Sequence, residues 1–127
     1  MDTRSNIMVI DNNSEELMQL ITCLEGKYIL TELPEGGDFT GVATAGCVDL
    51  ILLDDMLAEP NCYDICQDLK SDDQTKNVPI IIMSDLDASE LEREINFLGS
   101  DDYICKPIKQ EELLEKIETL LSFNRVN

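Results

Sequence analysis

The chain contains no histidine, so no imidazole serves it as a general base, a metal ligand or a phosphohistidine. Basic residues are scarce. Nine lysines and arginines stand against 27 aspartates and glutamates, a formal net charge of −18. Such a surface repels phosphate backbones and anionic headgroups, which argues against direct nucleic-acid or membrane binding by this domain. No apolar run comes near the roughly 20 residues that a membrane span needs. The polar stretch from Met1 to Asn6 lacks the apolar core of a signal peptide. Repeats, low-complexity tracts and linkers are absent as well. The 127 residues therefore read as one domain over 1–127, with a core at about 6–122.

What is present fits a packed interior. Hydrophobic residues make up 43% of the chain, enough to exclude a disordered composition. The five cysteines, Cys23, Cys47, Cys62, Cys66 and Cys105, are odd in number and spread through apolar segments. That pattern predicts buried thiols in a reducing, cytoplasmic setting. Cys62 and Cys66 lie one helical turn apart, as a metal pair would, but Ile65 and Leu69 share their face, so core packing is the stronger reading. The acidic excess is chiefly a solvated surface. An acidic cleft that attracts a divalent cation is compatible with it.

Five apolar runs have strand length: Ile7–Ile10, Tyr28–Glu32, Leu50–Leu53, Val78–Met83 and Tyr103–Cys105. Helical spacing separates most of them. Leu17, Leu20, Ile21 and Leu24 follow i, i+3, i+4, i+7, as do Cys62, Ile65, Cys66 and Leu69. Leu91, Ile95 and Leu98 form a thinner stripe, and Leu113, Leu114, Ile117, Leu120 and Leu121 the clearest one. Asn13 with Glu16, Asn61 with Asp64, and Asp87 with Glu90 resemble capping boxes. Pro34–Gly46 holds four glycines and predicts a short or distorted second helix. The alternation specifies an α/β fold, a parallel sheet with helices on both faces.

In such a sheet, ligands bind beyond the carboxyl ends of the strands. The residues found there are Asp11 and Asn12, Asp54 and Asp55, Ser84 and Asp85, and Lys106 with Pro107. Singly, each has a plain explanation: an Asp caps a helix, a Ser makes a turn, a Lys is solvated. Together they form a set suited to phosphoryl transfer. The Asp54 carboxylate can attack phosphorus and form an acyl phosphate. Asp11 and its neighbours can hold Mg²⁺ through oxygen, Lys106 can neutralise phosphoryl oxygens, and Ser84 can donate a hydrogen bond to them.

The stretches IMVIDNN from Ile7, DLILLDDML from Asp49, LKSDDQTKNVPIIIMSD from Leu69 and GSDDYICKPIKQEELL from Gly99 resemble the receiver domain of bacterial response regulators, over about residues 6–122. The resemblance implies a flavodoxin-like, CheY-like five-stranded sheet in the order 2-1-3-4-5. It implies Asp54 as phosphoacceptor, Ser84 as switch hydroxyl, Tyr103 as switch aromatic and Lys106 as the phosphoryl-contacting lysine. Mg²⁺ would be held by Asp11, Asn12, Asp54 and the backbone carbonyl of Met56. A cis peptide before Pro107 also follows. The expected partners are a histidine kinase or histidine phosphotransfer protein, and a downstream effector or tethered output domain. Such a domain is no enzyme beyond self-catalysed phosphoryl transfer and autodephosphorylation. Its output surface would be the fourth helix, fifth strand and fifth helix, and the acidic surface favours a monomer or a weak dimer.

Three positions depart from the family pattern. Asn12 stands where a second acid is usual, keeping a carbonyl oxygen but losing charge, which predicts weaker Mg²⁺ binding. Ala58, Asn61 and Cys62 replace the usual Pro and Asp-Gly of the loop after Asp54. Asp85 replaces a small residue after the switch hydroxyl; turned into the cleft it would partly compensate at the metal, and solvent exposure is its simpler fate. Asn12 and Asp85 keep open a second reading, a pseudo-receiver that binds proteins without phosphorylation. A flavodoxin-like cofactor binder would need a Ser/Thr/Gly-rich first loop, and Asp11-Asn12-Asn13 suits a metal better.

Overall fold

Unbroken runs of Ile, Val and Leu have no face to give to water, and the three central strands built from them are buried on both sides. The structure, a computed structural model, describes residues 3–11, 13–32, 39–55 and 62–126. Strand and helix alternate as β1 (Asn6–Ile10), α1 (Ser14–Leu24), β2 (Ile29–Glu32), α2 (Phe39–Ala45), β3 (Leu50–Asp54), α3 (Cys62–Ser71), β4 (Ile80–Ser84), α4 (Ala88–Leu98), β5 (Asp102–Cys105) and α5 (Gln110–Val126). The strands form one parallel sheet in the order β2-β1-β3-β4-β5. Fold class and strand order are those the resemblance implies.

Alternation along each strand sorts the core into two layers. Ile7, Val9, Leu50, Leu52, Ile81, Met83 and Ile104 pack under Leu20 and Leu24 of α1 and Leu113, Ile117 and Leu121 of α5. Met8, Ile10, Ile51, Leu53, Ile80 and Ile82 pack under Ala43 of α2, Ile65, Cys66 and Leu69 of α3, and Leu91 of α4. Each such side chain contributes about 1.5–3 kcal/mol by leaving water. Cys66 is fully buried and Cys62 packs beside it, so this pair belongs to the core. Burial pushes the Cys66 thiol up to about 12, which makes it inert. Ile95 and Leu98, the rest of the α4 stripe, lie outside the described side chains.

Caps fix where the helices begin. Asn13 Oδ1 accepts the N–H groups of Glu15 and Glu16 at 3.0 and 3.1 Å, and Asp87 Oδ1 accepts that of Glu90 at 2.9 Å. Asn61, the third expected cap, lies outside the described residues. Gly26 and Gly99 follow α1 and α4 with φ of 85° and 78°, the left-handed conformation that glycine adopts without steric cost. The second helix is short, seven residues, as its glycine content predicts. β4 begins at Ile80, two residues later than the apolar run, because Val78 and Pro79 still belong to the approach to the sheet. That approach is pinned by Asp101, whose Oδ2 accepts from both the Ile80 N–H and Lys70 Nζ at 2.8 Å.

Candidate functional site

Asp54 and Ser84 are the last residues of β3 and β4 rather than the first of the loops beyond them. This matters because the alternation still governs where their side chains go. Asp54 continues Leu50 and Leu52 toward α1 and α5, while Asp55 continues Ile51 and Leu53 toward α3 and α4. The strand-end residues therefore divide into two groups.

The first group centres on Asp54, whose side chain is 1% exposed. Lys106 Nζ lies 2.7 Å from Asp54 Oδ1 and 2.9 Å from Glu16 Oε2. Lys106 follows β5 directly, and its N–H donates to the Ser84 carbonyl at 2.6 Å, so the β4–β5 ladder itself sets its position. The Lys106–Pro107 peptide is cis, as the resemblance implies. Burial alone would lower the pKa of the Lys106 ammonium. Its hydrogen bonds to Asp54 and Glu16, and their charges, outweigh that and raise it above the ordinary lysine value.

Asp11 completes this group. Carboxylate oxygens of Asp11, Glu16 and Asp54 lie within 4.8 Å of one another. Asp11 Oδ1 accepts the Asn13 N–H at 2.8 Å, while its Oδ2 is buried with no hydrogen-bond partner. Desolvation, reinforced by the Asp54 charge, pushes the Asp11 carboxyl up to about 7. Three hard oxygen donors, one of them a desolvated carboxylate with an unpartnered oxygen, suit a small divalent cation. Asn12 and Met56, the other expected metal ligands, lie outside the described residues.

The second group centres on Ser84, the expected switch hydroxyl, whereas Tyr103, the expected switch aromatic, has other partners. The Ser84 hydroxyl donates to Asp55 Oδ2 and accepts the Leu86 N–H at 3.0 Å. The Asp55 N–H donates to the Met83 carbonyl at 3.0 Å, extending the β3–β4 ladder by one residue and bringing Asp55 beside Ser84. Burial raises the Asp55 pKa, and the Ser84 hydrogen bond opposes that rise. Tyr103 is half-buried, its hydroxyl 3.4 Å from Glu92 Oε1 and its ring 5.4 Å below Lys116 Nζ. Asp85 is exposed. Asp85 and Lys106, with Glu16, Gln19, Leu20, Cys23, Pro107 and Ile108, line a groove of about 280 Å³ between α1 and the start of α5.

Glu16 was read from the sequence only as a capping partner, and Asp55 only as a strand-end residue without a role of its own. Glu16 carries a signal of its own: it stands one turn before Leu20, which stands one turn before Leu24, so it extends the buried face of α1 toward the strand ends. Its expected partner, the Asn13 N–H, is taken by Asp11 instead.

Residues 7–118 match the model of the response regulator receiver domain, and the chain belongs to that family. It is a receiver domain of two-component signalling. It is 30% identical over 114 residues to protein RcaC of Microchaete diplosiphon, spanning 89% of this chain and 18% of RcaC. It is 28% identical over 120 residues to protein PilH of Pseudomonas aeruginosa, spanning 93% of this chain and 98% of PilH. The chain spans about half the length, or less, of several other curated relatives that it matches. Among solved structures, it resembles the receiver domain of a sensor histidine kinase from Pseudomonas aeruginosa, with a TM-score of 0.83 at 23% identity over 94% of this chain and 99% of the other. That structure holds a magnesium ion in its active-site cleft.

Proposed function

We propose that this domain is a phosphorylatable switch that takes a phosphoryl group on Asp54 from a partner phosphohistidine. The observation that carries the reading is the buried Asp54 carboxylate held 2.7 Å from Lys106, beside Asp11 at the strand ends. An Asp54 oxygen attacks phosphorus, the O–P bond to Asp54 forms, and the bond from phosphorus to the donor breaks as the donor leaves with that electron pair. Lys106 neutralises the incoming oxygens. Water later attacks the same phosphorus and releases orthophosphate, restoring Asp54. The domain catalyses these steps on itself and transforms no other substrate. Asp11, Asn12, Asp54 and the Met56 carbonyl would hold Mg²⁺, which supplies positive charge to the phosphoryl oxygens. With no histidine in the chain, the phosphohistidine comes from a histidine kinase or phosphotransfer protein, reaching Asp54 in the cytoplasm. A downstream effector or a tethered output domain reads the result on α4, β5 and α5. Asp101 and Asp102 of that region pair within the chain with Lys70 and Lys116, at 2.8 and 3.2 Å, which favours a monomer or weak dimer.

Incubation with acetyl phosphate and Mg²⁺ is expected to add one phosphoryl group to the intact mass. Omission of the metal should suppress the gain. A chain that gains nothing from small donors or from phosphohistidine partners is instead a phosphorylation-independent interaction module.

Metal binding should depend on pH with a defined sign. The folded Asp11 pKa of about 7 lies above its ordinary value of 3.8, so the metal-free fold holds a proton that the unfolded chain has lost. This group's contribution to stability is therefore fully present below about 3.8, declines as pH rises, and is lost once pH has passed about 7. Mg²⁺ must displace that proton, so its apparent affinity should fall about tenfold between pH 8 and pH 6. The rise in melting temperature on adding Mg²⁺ should accordingly be larger at pH 8. An equal or greater rise at pH 6 would contradict the assignment of Asp11.

The switch begins from the Ser84–Asp55 hydrogen bond. On phosphorylation the Ser84 hydroxyl turns to the phosphoryl group, and the Tyr103 ring moves inward into the space it leaves. Asp55→Ala removes the competing acceptor. It should lower the concentration of beryllofluoride that half-saturates the spectral change at Ser84 and Tyr103 by about three- to tenfold. Shifts confined to the loop after Asp54 would mean that no such relay operates.

A further inference from the structure

Glu16 sits in a place that its role at the head of a helix does not explain. Its N–H is capped by Asn13, yet its carboxylate does not return to the cap. It reaches Lys106, 90 residues along the chain, and shares the ammonium with Asp54. The pairing is sheltered, with the Lys106 side chain 7% exposed and that of Glu16 28% exposed. An ammonium has three N–H donors, and two of those on Lys106 are directed at these carboxylates.

We propose that Glu16 is a positioning residue that holds Lys106 in the resting cleft and competes with an arriving phosphoryl group for it. The proposal rests on the phosphoacceptor reading above and adds a restraint to it. When Asp54 becomes an acyl phosphate, its own charge is lost and the phosphoryl oxygens bring about two negative charges to the same place. Lys106 then has to serve those oxygens. The Glu16 carboxylate opposes this in two ways: it retains a charge-assisted hydrogen bond to the lysine, and it repels the anionic donor. A neutral acceptor of the same length would keep Lys106 in place and hold it less firmly.

Two variants and two readouts test this. Glu16→Gln keeps a carbonyl oxygen within reach of Lys106 and removes the charge; Glu16→Ala removes both. The first readout needs no phosphoryl chemistry: proton exchange at the Lys106 ammonium, followed by nitrogen-15 NMR. Exchange should be slow in the parent chain, faster in Glu16→Gln and at least about tenfold faster in Glu16→Ala. The second is the rate of phosphoryl uptake from acetyl phosphate at saturating Mg²⁺, so that altered metal affinity does not contribute. Glu16→Gln should raise it about three- to tenfold. Unchanged ammonium exchange in both variants overturns the proposal, whatever the uptake rate does. Faster exchange with unchanged or slower uptake overturns the competition. If no variant takes up phosphoryl at all while exchange responds as described, the hold on Lys106 stands and the phosphoacceptor reading fails.

Discussion

Asp54→Asn is expected to abolish phosphoryl uptake from acetyl phosphate while leaving the fold intact. The amide oxygen is too weak a nucleophile to form the acyl phosphate, but it is nearly isosteric with the carboxylate and still accepts a hydrogen bond from Lys106. Electrostatics favour survival of the fold, because the substitution removes one of three clustered carboxylates. The Asp54 charge is among the causes that raise the Asp11 pKa, so that group should titrate lower in the variant. The checks are intact mass after incubation with donor and Mg²⁺, and thermal melting in the absence of metal. Uptake equal to that of the parent chain would move the acceptor elsewhere.

Lys106→Ala should behave in the opposite way. Lys106 is the cation that compensates a carboxylate buried to 1% exposure, and breaking such a pair from one side costs about 3–5 kcal/mol. The penalty is the charge left behind rather than the lost contact, because the clustered carboxylates of Asp54, Glu16 and Asp11 then lose the ammonium that Asp54 and Glu16 share. Denaturant unfolding of metal-free protein should show this loss, and Mg²⁺ should recover part of it. A loss below about 1 kcal/mol would mean that the cleft is wetter or more relaxed than its burial indicates. The two variants together separate charge balance from nucleophilicity, since each removes one end of the same 2.7 Å pair.

Sequence carried most of the architecture because β3 and β4 are uninterrupted apolar runs and α1, α3 and α5 carry clear helical stripes. The edges were less legible. Tyr28 and Val78 are apolar enough to extend their runs, but hydrogen bonding to the ladder decides where a strand starts, and hydropathy does not report it. At the site, Asp11, Asp54, Ser84 and Lys106 stand out as strand-end residues of the right chemistry. Glu16 was hidden because a glutamate three residues after Asn13 already has a capping explanation. Asp55 was legible as a strand-end residue, but its pairing with Ser84 was not, because only the alternation of β3 separates its direction from that of Asp54. Both gaps concern which partner a polar group takes when several are in reach, and that is settled by tertiary packing.

The dependence of the site on distant parts of the chain has a consequence for how this domain matures. Lys106 meets Asp54 across 52 residues and Glu16 across 90. Closing loops of that length costs chain entropy that only a completed sheet returns. During synthesis, Asp54 emerges well before Lys106, so a nascent or truncated chain ending before β5 carries Asp54 without the ammonium that meets it in the folded domain. On the proposed reading, competence to receive a phosphoryl group thus arrives with the last strand, since only then does the Lys106 ammonium stand beside Asp54.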